Sequence, residues 1–350
     1  MRAVIDSLIA LGRQITFLPD NGAPTQPYTR ELQRLGVEVL HSVDFAQELR
    51  RIGPSVELAI LCRPEPASRW LGLVREHAPS AAIVYDTVDL HWLREARRAA
   101  AAAGRASGEL LLTAKAVSTR ELELALIRGT DATVVVTDEE RAVVLEDVPD
   151  ATVHVIANVN PVKLRVPPRE GRRGVLFVGG FEHTPNVDAA LALVREVMPL
   201  VWRELPDLQV TIVGPGAPPE IEALAGPLVA VAGWVANIDP LLDRALALVA
   251  PLDYGAGLKG KVTQALAAGL PVVTTPIGAE GLDAADGDQL LIGETAEQLA
   301  DRVLRLVGQD GLWDHLSRAG QELAEARVSP ALMRERLTEL LAGMPSCRAS

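Results

Sequence analysis

Residues 253–282 read DYGAGLKGKVTQALAAGLPVVTTPIGAEGL, which is a glycine-rich loop, a short helical pattern and a β-branched strand in direct succession. The helical pattern ends at Gly269, and the strand runs from Pro271 to Thr275. Loop, helix and apolar strand in this order form the repeating unit of α/β folds with a parallel sheet. The stretch therefore predicts such a sheet, with a loop whose glycines let the backbone approach a ligand.

The start of this helical pattern carries the charges that a phosphate group needs. A helix start offers unpaired N–H groups and the positive end of the helix dipole. Lys259 and Lys261 add two cations, and Gly255 and Gly257 precede them. These features indicate a pocket for a diphosphate. The alternative is a loop-to-helix junction whose glycines only turn the chain and whose lysines are solvated.

The stretch resembles the donor-site signature of the retaining glycosyltransferases of family four, which have the GT-B fold. The family's basic pair matches Lys259 and Lys261, its Glu-Ala appears as Gln264-Ala265, and GLPVV follows. The resemblance continues in GVLFVGGFEHTPNVDAAL from Gly174, in LQVTIVGPG and VAVAGWVANIDPLL after it, and in IVYDTVDLHWLREARRA from Ile83. The last segment is typical of a bacterial subgroup. The resemblance covers nearly all of the chain except its beginning.

Two positions depart from the family's pattern. The family commonly has two glutamates separated by seven residues, the second of which contacts the nucleotide ribose; the matching positions are Ala256 and Gln264. An amide oxygen accepts a hydroxyl hydrogen bond more weakly than a carboxylate does. Many members also place an Arg and a Lys in the loop that begins at Gly180, where this chain has Glu182, His183 and Asn186. The positive charge of the expected site therefore falls on Lys259 and Lys261.

Short apolar runs alternate with longer helical patterns along the whole chain. Continuous apolar strands spaced by helices are typical of parallel sheets that are covered on both faces. Two sets of such runs predict two Rossmann-like, doubly wound domains, which in the GT-B arrangement face a cleft. The runs are residues 15–18, 37–40, 56–61, 82–85, 133–137, 153–156, 175–178, 209–213, 228–231, 246–250, 272–275 and 289–292.

These patterns divide the chain into four segments. We expect residues 1–157 to form the acceptor-side domain and residues 158–173, rich in proline, glycine and charge, to form a linker. Residues 174–328 are the expected nucleotide-sugar-binding domain. Residues 329–350 hold a final helix, and in GT-B enzymes such a helix packs back on the first domain.

The composition limits the partners. The formal charge of −12 over 350 residues argues against nucleic-acid binding, which needs a basic face. The two cysteines and six histidines show no metal-ligand spacing. No apolar stretch approaches the length of a membrane span, and the first residues lack a cleavage site. We expect a cytoplasmic protein, and a peripheral contact with the inner face of the membrane is compatible with this composition.

On the donor side, Gly179 and Gly180 follow the strand that ends at Val178. A glycine pair at a strand end lets backbone N–H groups reach a phosphate; the alternative is a tight turn. Glu280, in the segment GAEGL, either touches the sugar or caps the following turn.

On the acceptor side, Asp86, Asp89 and His91 come just after the run at residues 82–85. Asp86 or His91 can orient or deprotonate an acceptor hydroxyl. The alternative is that Asp89 caps the following helix and that His91 lies on its surface. Trp92 either stacks on a sugar or fills a domain interface, and we favour the interface.

The resemblance implies transfer of a sugar, with retention, from a nucleotide-diphosphate sugar to the hydroxyl of a glycan, lipid or small-molecule acceptor. Backbone N–H groups and lysines would stabilise the leaving diphosphate. We therefore expect no metal and no cofactor besides the donor substrate. One alternative is a GT-B-shaped nucleotide-binding protein with weak or no turnover. The other is a different nucleotide-sugar enzyme on the same fold, such as an epimerase or a phosphorylase.

The beginning of the chain carries a further expectation. A GT-B first domain starts with a strand, a glycine-rich loop and a helix, whereas this sequence opens on helical spacing in which Val4, Ile5 and Leu8 share an apolar face. The run QITFLPDN from Gln14 matches the family's second strand. The sequence thus predicts that the first strand and its loop are missing, which would leave neighbouring strands unpaired or rearranged.

Overall fold

The computed structural model describes residues 1–105 and 108–344. The chain divides into two compact units. Unit 1 comprises Met1–Trp92, Ala114–Ala157 and Pro330–Ser350, and unit 2 comprises Leu93–Thr113 and Asn158–Ser329.

Helices and strands alternate along most of the described residues. A 3-10 turn, Gly53–Ser55, follows α3, and a π-helical turn, Leu193–Val197, joins α8 to α9. The helices are α1 (Arg2–Ala10), α2 (Tyr28–Arg34), α3 (Phe45–Ile52), α4 (Pro64–His77), α5 (His91–Ala102), α6 (Ala114–Gly129), α7 (Asp138–Asp147), α8 (Thr184–Ala192), α9 (Met198–Val201), α10 (Pro219–Glu222), α11 (Asp239–Arg244), α12 (Gly260–Ala267), α13 (Pro276–Ala279), α14 (Ala296–Gly308), α15 (Leu312–Val328) and α16 (Pro330–Gly343). The strands are β1 (Thr16–Phe17), β2 (Glu38–Val39), β3 (Leu58–Cys62), β4 (Ala82–Asp86), β5 (Ala132–Val135), β6 (Val153–Val155), β7 (Val175–Val178), β8 (Val210–Val213), β9 (Val229–Gly233), β10 (Ala247–Ala250), β11 (Val272–Thr274) and β12 (Leu291–Ile292).

Each of the twelve apolar runs predicted from the sequence overlaps a strand. The central strands are buried on both faces: Ile83, Val84 and Tyr85 of β4 are fully inaccessible to solvent, as is every residue of β10. Burial on both faces explains why these strands are continuously apolar instead of alternating. All strand pairs in the named sheets are parallel, which confirms the predicted fold class.

Unit 1 holds its parallel strands in two separate sheets. β1 pairs with β2, and β3 to β6 form a four-stranded sheet in chain order. The two-stranded sheet packs against its own small cluster around Ile5, Leu32 and Val37. β3 lies at the edge of the larger sheet, and all its residues are only partly buried although all are apolar. The expectation of a missing first strand stays a prediction.

Unit 2 has one six-stranded sheet in the order β12-β11-β10-β7-β8-β9. From β7 the chain moves outward through β8 and β9, and it then returns to the other side of β7 to build β10, β11 and β12. β7 and β10 are therefore neighbours whose following loops leave the sheet in opposite directions. This is the topological switch point of a doubly wound sheet, where ligands bind at the carboxyl ends of the strands.

The last described helix, α16, packs against α1 and β6 of unit 1. Within the part of the chain that the structure describes, no helix is both long and apolar enough to cross a bilayer.

Candidate functional site

Close packing at the switch point requires glycine at positions 179 and 214. A Cβ atom on Gly179 would lie 2.7 Å from Cγ of Asn186, and one on Gly214, after β8, would lie 1.8 Å from the carbonyl oxygen of Gly179. A side chain at either position would therefore displace backbone or a packed neighbour. A Cβ on Gly180 would have more room, with Pro215 as its nearest neighbour at 3.9 Å. The pair thus turns the chain tightly and also keeps its backbone near the strand ends.

Asn186 links the first turns of two helices at this place. Its Nδ2 donates to the carbonyl oxygen of Gly180 at 2.7 Å, and its Oδ1 accepts a hydrogen bond from Nζ of Lys261. Asn186 lies in the first turn of α8, and Lys261 lies in the first turn of α12. Two helix N-termini, each the positive end of a helix dipole, therefore meet beside the glycine loop.

Lys261 is enclosed by the protein and is not a solvated lysine. Its Nζ lies 4.5 Å from the ring centroid of Phe177, a fully buried residue of β7. Burial, together with the positive charge of nearby Lys259, lowers the pKa of Lys261 to about 7. An ammonium held there gains from a cation–π contact but lacks a carboxylate among the partners described above. An arriving anion would supply the missing negative charge.

Lys259 precedes α12 as its N-cap residue, and its stem lies on the glycine-rich loop. Gly255 has φ +155° and Gly257 has φ +61°, a region that favours glycine. A Cβ on Gly255 would lie 3.1 Å from Cε of Lys259, so this glycine also makes room for the lysine. The Nζ of Lys259 donates to the carbonyl oxygen of Gly257 and, at 3.1 Å, to Oε2 of Glu280.

Glu280 is held by an arginine that the sequence did not reveal. Arg97 of α5 donates from Nη1 to Oε2 of Glu280 at 2.9 Å and approaches Oε1 with Nη2 at 2.7 Å. Arg97 Nη1 also donates to the carbonyl oxygen of Gly255 at 2.7 Å. Burial by itself would raise the pKa of Glu280, but the hydrogen bond from Arg97 and the charges of Lys259 and Arg97 hold it below its ordinary value. The carboxylate therefore joins two cations and does not cap a turn.

The remaining donor-side positions lie on or near α12. Gln264 lies three residues after Lys261, so both side chains project from the same face of the helix, and Gln264 is partly exposed. Ala256, which occupies the position of the family's first glutamate, is buried. The structure thus brings Gly179, Gly180, Gly257, Lys259, Lys261, Gln264 and Glu280 together at the switch point of unit 2.

In unit 1, Asp86 stabilises the turn that follows β4. Its Oδ1 accepts from the backbone N–H of Val88 at 3.0 Å, and its Oδ2 lies 3.6 Å from the thiol of Cys62. Val88 has φ +66°, a strained conformation for a β-branched residue, and strain of this kind is concentrated at functional sites. Burial raises the pKa of Asp86. The group is thus a stronger base than an exposed aspartate, and it also holds a strained turn.

His91 begins α5 and is largely buried, so it does not lie on the helix surface. Its Nε2 is 3.3 Å from Oδ1 of Asp89, and the two side chains are 13% and 14% exposed. A carboxylate beside an imidazole orients the ring. Trp92 is buried, with the guanidinium of Arg120 at 5.3 Å from its ring centroid.

Two buried glutamates hold the loop that carries these residues. Glu123 of α6 accepts hydrogen bonds from the Tyr85 hydroxyl at 3.2 Å and from the backbone N–H groups of His91 at 3.3 Å and Trp92 at 2.9 Å. Burial raises the pKa of Glu123 to about 7. Nothing in the sequence indicated this role, because Glu123 lies 31 residues beyond Trp92.

Glu140 is the second of these glutamates. Thr137 caps α7 by accepting from the N–H of Glu140, as the Thr-Asp-Glu-Glu sequence predicts. In a capping box the glutamate would reach back to the N–H of the capping residue. In this chain the Glu140 carboxylate accepts from the backbone N–H groups of Val136 at 3.2 Å and of Leu90 at 3.0 Å. The glutamate therefore joins α7 to the loop after β4.

Among residues 1–105 and 108–344, no three His, Cys, Asp or Glu side chains are grouped as metal ligands.

Comparison with known proteins finds that part of unit 2 resembles a known family of domains. Residues 172–309 match the family described as glycosyl transferases group 1. A Klebsiella pneumoniae protein, described as an uncharacterized 44.6 kDa protein in the cps region, is 28% identical over 139 residues. That match covers 37% of this chain and 36% of the relative, so it spans about a third of the relative's length.

Solved structures resemble the chain over most of its length. The HepE protein of Anabaena, crystallised with UDP and glucose, has a TM-score of 0.72 at 12% identity, with 94% of this chain and 99% of that chain covered. Sucrose-phosphate synthase from Thermosynechococcus elongatus has a TM-score of 0.70 at 16% identity, with 97% and 91% covered.

TarM has a TM-score of 0.65 at 16% identity over 83% of this chain and 57% of TarM, and the S. aureus protein has also been crystallised with UDP. These likenesses confirm the GT-B fold of the chain, and the segment that matches the group 1 glycosyl transferases includes the candidate donor site, from Gly179 to Glu280.

Proposed function

We propose that this chain transfers a sugar from a nucleotide-diphosphate sugar to an acceptor hydroxyl. One observation carries the proposal: the N-termini of α8 and α12 meet at the topological switch point of unit 2, with Lys259 and Lys261 beside them. The switch point at the strand ends, the positive ends of the two helix dipoles and the two lysines are all suited to binding a diphosphate. The segment matched to the glycosyl transferases group 1 family includes this whole arrangement.

In the proposed complex, the diphosphate lies between the Gly179–Gly180 loop and the start of α12. Departure of the nucleotide leaves negative charge on the diphosphate. Groups already oriented toward that charge stabilise the transition state without having to reorganise. Lys259, Lys261 and the backbone N–H groups are the residues proposed for this task, and they act here in place of a divalent metal. Gln264, on the same face of α12 as Lys261, contacts the nucleotide ribose in this proposal.

Retention of the anomeric configuration is part of the proposal and follows from the resemblance to family four. For the acceptor, a glycan, a lipid or a small molecule, we propose His91 or Asp86 of unit 1 as the group that orients or deprotonates the hydroxyl. The support is the His91–Asp89 contact at 3.3 Å and the raised pKa of Asp86. We also propose that the protein acts in the cytoplasm, where a lipid acceptor would bring it to the inner face of the membrane.

A second function, nucleotide binding with weak or no turnover, is favoured by two residues. The buried Ala256 and the amide of Gln264 stand where the resembling family has glutamates. Loss of a carboxylate that contacts the ribose weakens orientation of the donor more than it weakens attraction of the diphosphate.

Two measurements test the proposal. Calorimetry with UDP, the nucleotide found with several of the similar structures, should show binding that is much tighter than binding of uridine. Radiolabelled UDP-sugars, incubated with the protein and a panel of acceptors, should then give a glycosylated product of retained configuration. UDP binding with neither transfer nor donor hydrolysis would favour the second function, and an epimerised or phosphorolysed sugar would indicate another enzyme.

A further inference from the structure

We infer that Arg97 is a positioning residue for the proposed donor site: it holds the carboxylate of Glu280, so that Lys259 can exchange that carboxylate for the phosphate of the donor. The inference rests on the proposed function, because it assumes that a diphosphate reaches Lys259.

The first support is that Glu280 is shared between two cations. Its Oε2 accepts from Arg97 at 2.9 Å and from Lys259 at 3.1 Å, and Arg97 also approaches Oε1 with Nη2 at 2.7 Å. A guanidinium that holds both carboxylate oxygens is the stronger and more directional partner. Lys259 therefore binds Glu280 more weakly than Arg97 does.

The second support is the burial of all three groups. The side chains of Arg97, Glu280 and Lys259 are 14%, 16% and 9% exposed. Removing one partner of a buried ion pair is costly, because the remaining charge is left without compensation. With Arg97 present, Glu280 keeps a cationic partner when the Lys259 side chain leaves it to bind a phosphate. Without Arg97, the same movement would leave a buried carboxylate alone beside an incoming anion.

The third support is that Arg97 also fixes the backbone under Lys259. Its Nη1 donates to the carbonyl oxygen of Gly255 at 2.7 Å, and the stem of Lys259 lies against that glycine. Gly255 has a φ of +155°, which other residues rarely adopt, so the loop depends on such outside contacts for its shape. Arg97 belongs to the segment Leu93–Thr113, which is part of unit 2, and it thus holds both the loop and the carboxylate from one helix.

The test is a double-mutant cycle, with UDP binding to the whole chain measured by calorimetry. We expect Arg97→Ala to weaken UDP binding at least tenfold, because Glu280 then keeps Lys259. Glu280→Gln should bind UDP at least threefold more tightly than the wild type. The double variant should bind at least fivefold more tightly than Arg97→Ala, a rescue that a purely structural role for the arginine would not produce. Arg195→Ala, which removes an exposed arginine of unit 2, is the matched control and should bind like the wild type.

Circular dichroism shows whether each variant folds, and Arg97→Lys keeps the test informative if the alanine variant does not. The lysine variant retains the charge but not the two-oxygen contact, so it should lose UDP affinity and regain it when combined with Glu280→Gln. Normal UDP binding by Arg97→Ala, or a double variant as weak as Arg97→Ala, would overturn the inference while leaving the donor site in place. Failure of the wild type and of the Arg195 control to bind UDP would overturn the proposed function and the inference together.

Discussion

Replacing Lys261 by methionine should stabilise the protein without ligand and weaken its binding of UDP. Lys261 lies against Phe177, and burial together with the charge of Lys259 lowers its pKa from 10.5 to about 7. Methionine has a similar length and no charge, so it fills the same space without the cost of burying an ammonium. Groups placed for function often reduce stability in this way.

The size of the effect follows from the pKa difference. A shift from 10.5 to about 7 corresponds to about 5 kcal/mol, at about 1.4 kcal/mol per pKa unit. Between these pH values the unfolded chain keeps the lysine protonated while the folded chain releases the proton. The unfolded state then binds more protons, so the free energy of unfolding of the wild type rises with pH. Integrated from pH 7 to pH 9.5, this linkage amounts to about 3 kcal/mol, and the variant lacks it.

The assay is urea unfolding of the wild type and of Lys261→Met at pH 7 and at pH 9.5, with the free energies of unfolding obtained by linear extrapolation. The variant should be clearly more stable at pH 7, and its advantage should shrink by about 3 kcal/mol at pH 9.5. All other titrating groups are common to both proteins and cancel in the difference. An advantage that stays constant between the two pH values would show that Lys261 titrates as an ordinary lysine and would refute the reasoning.

Three further substitutions test individual roles. Lys259→Ala should weaken UDP binding by about 1.5–3 kcal/mol, the range of a charge-assisted hydrogen bond, and leave uridine binding nearly unchanged; equal losses in calorimetry would count against the phosphate assignment. Gln264→Glu should preserve or improve donor affinity by restoring a carboxylate for the ribose, and a folded variant that binds donor less well would show that the pocket is built around the amide. His91→Ala should lower the transfer rate by about a hundredfold or more while UDP affinity stays the same, and normal turnover would exclude His91 as the base.

The strands could be predicted from the sequence because parallel strands buried on both faces are continuously apolar. The run at residues 246–250 shows this: β10 is wholly buried at the centre of its sheet. The runs at residues 15–18 and 289–292 form strands of only two residues. An edge strand pairs on one side only, so its length depends on that one neighbour and not on its own composition. In unit 1, β2 and β3 belong to separate sheets. This separation depends on which strands pair with each other, and the local sequence pattern does not determine that pairing.

The candidate site was predictable only in part, for a related reason. The glycines and Lys259 could be recognised from the local sequence, because a helix start with glycines and lysines is typical of an anion-binding site. Arg97 could not be found this way, because its partner Glu280 is 183 residues further along the chain. The sequence left open whether Lys261 is solvated, because its contact with Phe177 is a tertiary contact between residues far apart in the chain.

The most direct test of the central claim is a crystal structure of the protein with UDP. The account predicts that the diphosphate lies at the switch point between β7 and β10, with its oxygens within about 3 Å of Nζ of Lys259 and of backbone N–H groups at the start of α12. It also predicts that Glu280 remains paired with Arg97 when Lys259 has moved to the phosphate. UDP bound elsewhere, or bound here with its diphosphate directed away from Lys259 and α12, would contradict the account.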